Sequence, residues 1–280
     1  MNNICSFLRK AVLIVLPCIM LLTACAGYKK QTNLGIPQGY LPFNALPDSL
    51  ALLPPPPAEG TSAFALDDEI SEKSLTMRGT GRWKLASEDA NLMFPHAAGT
   101  FSCAINAPIT EQDTPHLFRL LRRVLADAGL ATYTAQKKYM RIRPFVANKV
   151  QSCAPDQEPV LKDNGSYPSG HAAVGWAWAL ILSEIAPEQT DAIIARGRAF
   201  GQSRVICNVH WQSDVIEGRF IGAAVVARLH ADPEFRAELK SAKAELAFVR
   251  KKGLPPQRDC KAETEALSQY PPSAPWPADK

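Results

Sequence analysis

The 280-residue sequence has little net charge: 31 Lys and Arg against 27 Asp and Glu leave +4, scattered along the chain. That is too weak for a nucleic-acid footprint, so no nucleic-acid partner is expected. No apolar run approaches membrane length beyond the N-terminal 25 residues, which excludes a multi-span membrane protein. Strand-like alternation is scarce, and no internal repeat is visible. The chain also lacks a GxxxxGK[ST] loop, an HExxH pair, a GxSxG elbow, and a cysteine followed six residues later by arginine. These absences exclude the commonest nucleotide, zinc-protease, serine-hydrolase and cysteine-nucleophile sites. No carboxylates and histidines cluster as a metal site would need, so neither metal nor other cofactor is expected. At 46% hydrophobic content the chain has ample material for a folded core.

The first residues read as an address. Arg9 and Lys10 precede the apolar stretch AVLIVLPCIMLL, which has the length of a signal h-region rather than of a span. LTAC, from Leu22 to Cys25, resembles a bacterial lipobox. Residues 1–24 would then be a lipoprotein signal peptide, and Cys25 the lipidated first residue of the mature chain. A plain secretory signal cut near Ala26, or an anchor interrupted by Pro17, are the alternatives, and all three deliver the domain outside the cytoplasm. With Ala26 rather than aspartate after the cysteine, the expected location is the periplasmic face of the outer membrane, with the lipid as the sole membrane contact. Four cysteines remain beyond Cys25: Cys103, Cys153, Cys207 and Cys260. An even number in an oxidising compartment suggests disulfides with three connectivities open, free buried thiols being the alternative.

Residues 25–50 are polar and aperiodic and read as a tether, and LLPPPP at 52–57 as a stiff segment wrapped on its own domain. From there to residue 252 helical punctuation dominates, which makes the fold all-α. Thr114 and Pro115 look like an N-cap and first helical residue, followed by apolar residues at helical spacing to Gly129, with Arg119, Arg122 and Arg123 outside. Ala172–Ala186 is apolar nearly all round and predicts a central buried helix. Further helices are expected over 191–203, from Ser213 through IGAAVVARLH with Gly222 at a close helix contact, and from Asp232 to Lys252. Residues 253–280 read as an irregular Pro-rich tail.

The chemistry lies between residues 136 and 214. RIRP at 141–144, PSGH at 168–171 and SRVICNVHWQSD at 203–214 place cationic and imidazole groups at helix ends and turns. In PSGH, Ser169 can cap the apolar helix while Gly170 lets backbone N–H groups approach an anion. Arg143 and Arg204 offer planar forks suited to phosphate oxygens. His210 and Asp214 are four apart, so on a helical turn the carboxylate can hold Nδ1–H and leave Nε2 as a nucleophile.

RP, PSGH and SR-x5-H-x3-D in this order resemble the signature of the PAP2 superfamily, which includes class A bacterial acid phosphatases, lipid phosphatases and vanadium haloperoxidases. LLPPPPAEGTSAF, YMRIRPF, NGSYPSGH, GQSRVICNVHWQSD and VVARLHADPEF are closest to class A non-specific acid phosphatases. The resemblance implies a helical domain with a central bundle and broad, metal-independent hydrolysis of phosphate monoesters through a phosphohistidine. It implies His210 as nucleophile, Asp214 as its orienting carboxylate, and His171 as proton donor and then base. Arg143, Arg204, Ser169 and Gly170 would hold the phosphoryl group.

One position departs from this pattern. Seven residues before Arg143, where the family has lysine, stands Gln136, with Lys137 and Lys138 after it. Lys137 reaches the phosphate only if its helix shifts or its side chain curls back, since one residue is about 100° of helix rotation. A weakened or differently tuned enzyme is expected, not a dead one. The rival readings are a haloperoxidase-like enzyme that holds vanadate in the same cradle, and an inactive anion-binding envelope lipoprotein. His96, His116 and His230 read as surface or core residues, Arg141 and Lys138 as solvated charge, and Trp176, Trp178 and Trp211 as core or pocket wall. A Cys153–Cys207 bond would brace the site. A homo-oligomer is left open.

Overall fold

The computed structural model describes residues 38–269. The expected signal peptide and the expected lipidation site, Cys25, lie outside them. Among the described residues there is no strand, and twelve α-helices follow one another with short 3-10 turns between. They are α1 (Ser49–Leu52), α2 (Ser62–Ser74), α3 (Gly81–Asp89), α4 (Pro115–Ala131), α5 (Tyr133–Tyr139) and α6 (Pro144–Ala147). After these come α7 (Glu158–Leu161), α8 (Gly170–Ile185), α9 (Thr190–Ile206), α10 (Gln212–Leu229), α11 (Pro233–Lys251) and α12 (Cys260–Ser268). The all-α expectation holds. None of these helices is long and apolar enough to cross a membrane.

Helix α8 is the axis of the bundle, packed by α4, α9 and α10, with α11 against α4. Its apolar sequence explains this: Ala173, Ala177, Trp178, Ile181 and Leu182 are all fully buried, and burying one large apolar side chain stabilises by about 1.5–3 kcal/mol. Trp178 satisfies its indole N–H on the Leu121 carbonyl at 2.9 Å. Small residues let α10 press on α8. A Cβ at Gly222 would stand 2.4 Å from the Ala173 carbonyl oxygen, and one at Gly218 2.4 Å from that of Ser169, so only glycine permits this approach.

Capping differs from the sequence reading at α4. Thr114 does not cap with its hydroxyl, which instead donates to the Pro108 and Thr110 carbonyls. The free N–H groups of His116 and Leu117 are taken by the Glu245 carboxylate of α11, at 3.1 and 2.9 Å. An acidic group there answers both the orphan donors and the helix dipole.

Two chain ends are more ordered than their composition suggested. Within the expected tether, Tyr40 and Leu41 are buried, and their N–H groups donate to the Asp127 carboxylate at 2.9 and 3.1 Å. Arg123, expected outside, stacks over the Tyr40 ring and donates to the Gly39 carbonyl. The expected irregular tail contains α12, tied to the domain by a Cys103–Cys260 disulfide and by Gln257, which exchanges two hydrogen bonds with Ile109. The polyproline segment does wrap its own domain: the Tyr167 hydroxyl donates to the Pro54 carbonyl.

Candidate active site

Ser169 is the N-cap of α8, its Oγ accepting from Ala172 N–H at 3.2 Å. The first N–H groups of the helix, at Gly170 and His171, have no intrahelical carbonyl to reach and give this turn a positive end. Its place is fixed from α10, because Ser169 N–H donates to the Asp214 carbonyl at 2.9 Å.

Arg204 ends α9, and the chain then turns back through Asn208, which has a positive φ of 64°. Asparagine tolerates that conformation better than most residues. The turn is stitched to the segment after Arg143: Phe145 N–H donates to Asn208 O, Cys153 N–H to Cys207 O, and a Cys153–Cys207 disulfide joins the two stretches. The expected bracing pair is therefore the observed one. This turn delivers His210 to the cap of α10.

His210 is 3% exposed and Asp214 is fully buried. The His210 Nδ1 lies 3.4 Å from Asp214 Oδ2, which also accepts from Trp211 N–H at 2.9 Å. On the other side of the ring, Arg143 Nη1 is 3.1 Å from Nε2. A guanidinium has only donors, so Nε2 must carry the lone pair and Nδ1 the proton. Burial, followed by the Arg143 charge, depresses this imidazole to about 4 against the pull of Asp214. Its resting form near neutrality is thus a neutral ring whose lone pair points away from the carboxylate.

The two arginines are held differently. Arg143 is wrapped by backbone carbonyls, with Nε donating to Leu161 and Asn164, Nη1 to Val209 and Nη2 to Gly165. Among the described residues no carboxylate is bonded to it. Arg204 is 0% exposed, and Nε, Nη1 and Nη2 all lack a hydrogen-bond partner among the described residues. Burial lowers Arg143 to about 10 and, together with the Arg143 charge, Arg204 to about 9. Both remain cations near neutrality. Three unsatisfied buried donors on one guanidinium are costly, and an oxyanion is the chemistry that would satisfy them.

His171 follows Gly170 and points its Nε2 at the Ala90 carbonyl, 3.1 Å away, a carbonyl that also accepts from Gln157 Nε2. Because a carbonyl only accepts, Nε2 carries a proton and Nδ1 is the ring atom left free. Burial and then the Arg204 charge hold His171 well below the ordinary histidine value.

The structure thus brings together His171, His210, Asp214, Arg143, Arg204, Ser169 and Gly170. It does not bring Lys137, which is exposed on α5. Gln136 faces the site turn instead, donating from Nε2 to the Pro168 carbonyl at 2.8 Å. Arg141 reverses its expectation of solvated charge: its side chain is 8% exposed and binds Asp214 Oδ1 at 2.6 Å and Asp67 Oδ2 at 2.8 Å. Sequence reasoning missed Asp67 altogether. The only local signal was the capped start of α2, which does not say where that helix docks. Among the described residues no three His, Cys, Asp or Glu side chains gather where a metal ion could be held.

This helical domain, with two histidines and two arginines converging at the ends of packed helices, corresponds to a known class: residues 120–237 match the PAP2 superfamily. The chain is 46% identical over 245 residues to the non-specific acid phosphatase of Providencia stuartii, a match covering 83% of this chain and 99% of that protein. It is 45% identical over 195 residues to the non-specific acid phosphatase of Salmonella typhimurium, covering 69% and 78%. To the acid phosphatase of Zymomonas mobilis it is 36% identical over 220 residues, covering 78% and 83%. The chain belongs to the PAP2 superfamily, on the branch of the bacterial class A non-specific acid phosphatases.

Proposed function

We propose that the protein is a broad-specificity acid phosphatase that hydrolyses phosphate monoesters through a phosphohistidine on His210. The observation that carries this reading is the line Asp214, His210, Arg143 beside the partnerless Arg204. A neutral imidazole faces two cations to which no carboxylate among the described residues is bonded, which suits a phosphoryl dianion. Arg143, Arg204 and the Ser169–Gly170 turn receive its oxygens, and their donors gain most as charge builds in the transition state. Arg143 leaves Nε2 for a phosphoryl oxygen while keeping its carbonyl bonds.

The Nε2 lone pair then forms the N–P bond as the ester P–O bond breaks, and the departing oxygen takes the proton carried by His171 Nδ1. The Ala90 carbonyl keeps hold of Nε2–H throughout. In the second half His171 takes a proton from water, the water oxygen bonds to phosphorus, and the N–P bond breaks to release phosphate and restore His210. General acid–base assistance of this kind is worth about 10²–10⁴-fold. Acid preference follows, because His210 stays neutral down to about 4 while His171 must be protonated. A bound dianion offsets the Arg204 charge that holds His171 down.

The test is hydrolysis of p-nitrophenyl phosphate from about pH 4 to about pH 9 with EDTA present, comparing wild type with His210→Ala. EDTA-resistant turnover peaking in acid and abolished in the variant supports the reading. Turnover that needs added metal, or that survives in His210→Ala, overturns it. The LTAC sequence at Leu22–Cys25 supports lipid attachment at Cys25 and a periplasmic, outer-membrane site of action. Palmitate labelling that is lost in Cys25→Ser is the expected result.

A further inference from the structure

Asp214 has more partners than a histidine-orienting carboxylate needs. Its Oδ2 serves His210 and Trp211 N–H, and its Oδ1 is taken by Arg141 Nη1 at 2.6 Å. The same Nη1 bonds Ser213 Oγ at 2.8 Å, while Nη2 reaches Asp67 Oδ2 on α2 at 2.8 Å. Asp67 is 3% exposed and closes the circuit by accepting Ser213 N–H at 2.8 Å and the Ser213 hydroxyl. The guanidinium also lies over the Trp211 ring, 5.3 Å from its centre. An arginine fork between two buried carboxylates, one of them the partner of the nucleophile, is a costly arrangement to retain for stability alone.

We propose that Arg141, anchored on its far side by Asp67, is a positioning residue that sets the aim and the protonation of His210 through Asp214. This rests on His210 being the nucleophile. The physical argument is a chain of charges. An unshared buried carboxylate would draw the imidazole toward imidazolium, which has no lone pair for phosphorus. Arg141 shares that charge and keeps the ring neutral, and Asp67 tempers Arg141 in turn.

The remaining groups facing His210 are Arg143 and Arg204, whose charges oppose imidazolium, and His171, whose own ring is held down in part by the His210 charge. Asp68, beside Asp67 on α2, adds a second carboxyl near Arg141 and is pushed up by burial and by its acidic neighbours Glu72 and Asp67. Removing Arg141 therefore favours protonated His210, and removing the Asp67 charge disfavours it.

The experiment compares Arg141→Met, Arg141→Lys and Asp67→Asn with wild type, reading the acid limb of kcat/KM on p-nitrophenyl phosphate. The His210 imidazole titration is followed in parallel by NMR, which needs no turnover. The expected result for Arg141→Met is a limb and a titration moved up by about one pH unit. Arg141→Lys, which keeps the charge but cannot fork, recovers part of that shift, and Asp67→Asn moves both readouts down. A purely structural role would lower activity or melting temperature in every variant and leave the titration in place. That result, or shifts of the same sign in Arg141→Met and Asp67→Asn, overturns the proposal. If wild type shows no turnover, or His210→Ala keeps it, the function reading falls, and the NMR shifts still decide the role of Arg141.

Discussion

At the scale of single residues, the position of Gln136 is the most informative departure from the family pattern. Its amide holds the Pro168 carbonyl, so it steadies the turn but brings no charge to it. A lysine there would add a charge-assisted hydrogen bond worth about 1.5–3 kcal/mol. Gln136→Lys should therefore raise kcat/KM on p-nitrophenyl phosphate by about 10–100-fold, and an unchanged value would mean the amide already serves. Gln136→Ala should lower it. His210, Asp214, Arg143 and Arg204 were legible because their neighbours in sequence carry the pattern. Arg141 and Asp67 were not, because burial of a charge depends on its partner. That partner stands 74 positions away, and no local spacing announces it.

At the scale of elements, the site is a junction of helix ends held by close packing and one disulfide. Gly218→Ala places a methyl against the Ser169 carbonyl and within 3.0 Å of the Ala172 Cβ. The expected cost is about 1–3 kcal/mol of stability, with a loss of kcat because the Ser169 turn must move. Denaturant unfolding and kinetics on the same sample check both, and an unchanged kcat would detach that turn from catalysis. The two disulfides should separate function from anchoring. Replacing Cys153 and Cys207, 54 residues apart, by serine should cost about 4 kcal/mol on the loop-entropy estimate and much of the activity. Replacing Cys103 and Cys260 should release α12 and leave kcat/KM within a few-fold of wild type. Helices α4, α8, α9, α10 and α11 were readable from apolar period and end signals. Helix α12 was not, since Cys103 and Ile109, which hold it down, lie far back in the chain.

At the scale of the whole molecule, pH acts on stability through groups of opposite sign. His210, at about 4, and His171 are both held below the ordinary histidine value. An unfolded chain takes up these protons below about pH 6.5, so stability from the site is present above that pH and lost as pH falls through about 4. Asp127 runs the other way. Burial, opposed by the Tyr40 and Leu41 N–H groups, raises it to about 6, so its contribution is full below the unfolded value near 4 and fades as pH rises through 6. Thermal unfolding of wild type and His171→Gln at about pH 5 and about pH 7 should show less acid loss in the variant. Inorganic phosphate at about 100 times its Kd should stabilise the fold by about 2.7 kcal/mol, and by much less in Arg204→Ala. What the sequence carried at this scale was the order of the three clusters. The docking of Tyr40 and Leu41 onto Asp127 was hidden, because nothing in that stretch marks a partner in α4.

Covalent phosphorylation of His210 can be caught by alkaline quench of the enzyme during turnover, followed by mass spectrometry of its peptides. One acid-labile phosphoryl group is expected on the histidine of the peptide spanning Cys207–Asp214, absent in His210→Ala. Full turnover with no such adduct, or an adduct on His171 instead, would contradict it.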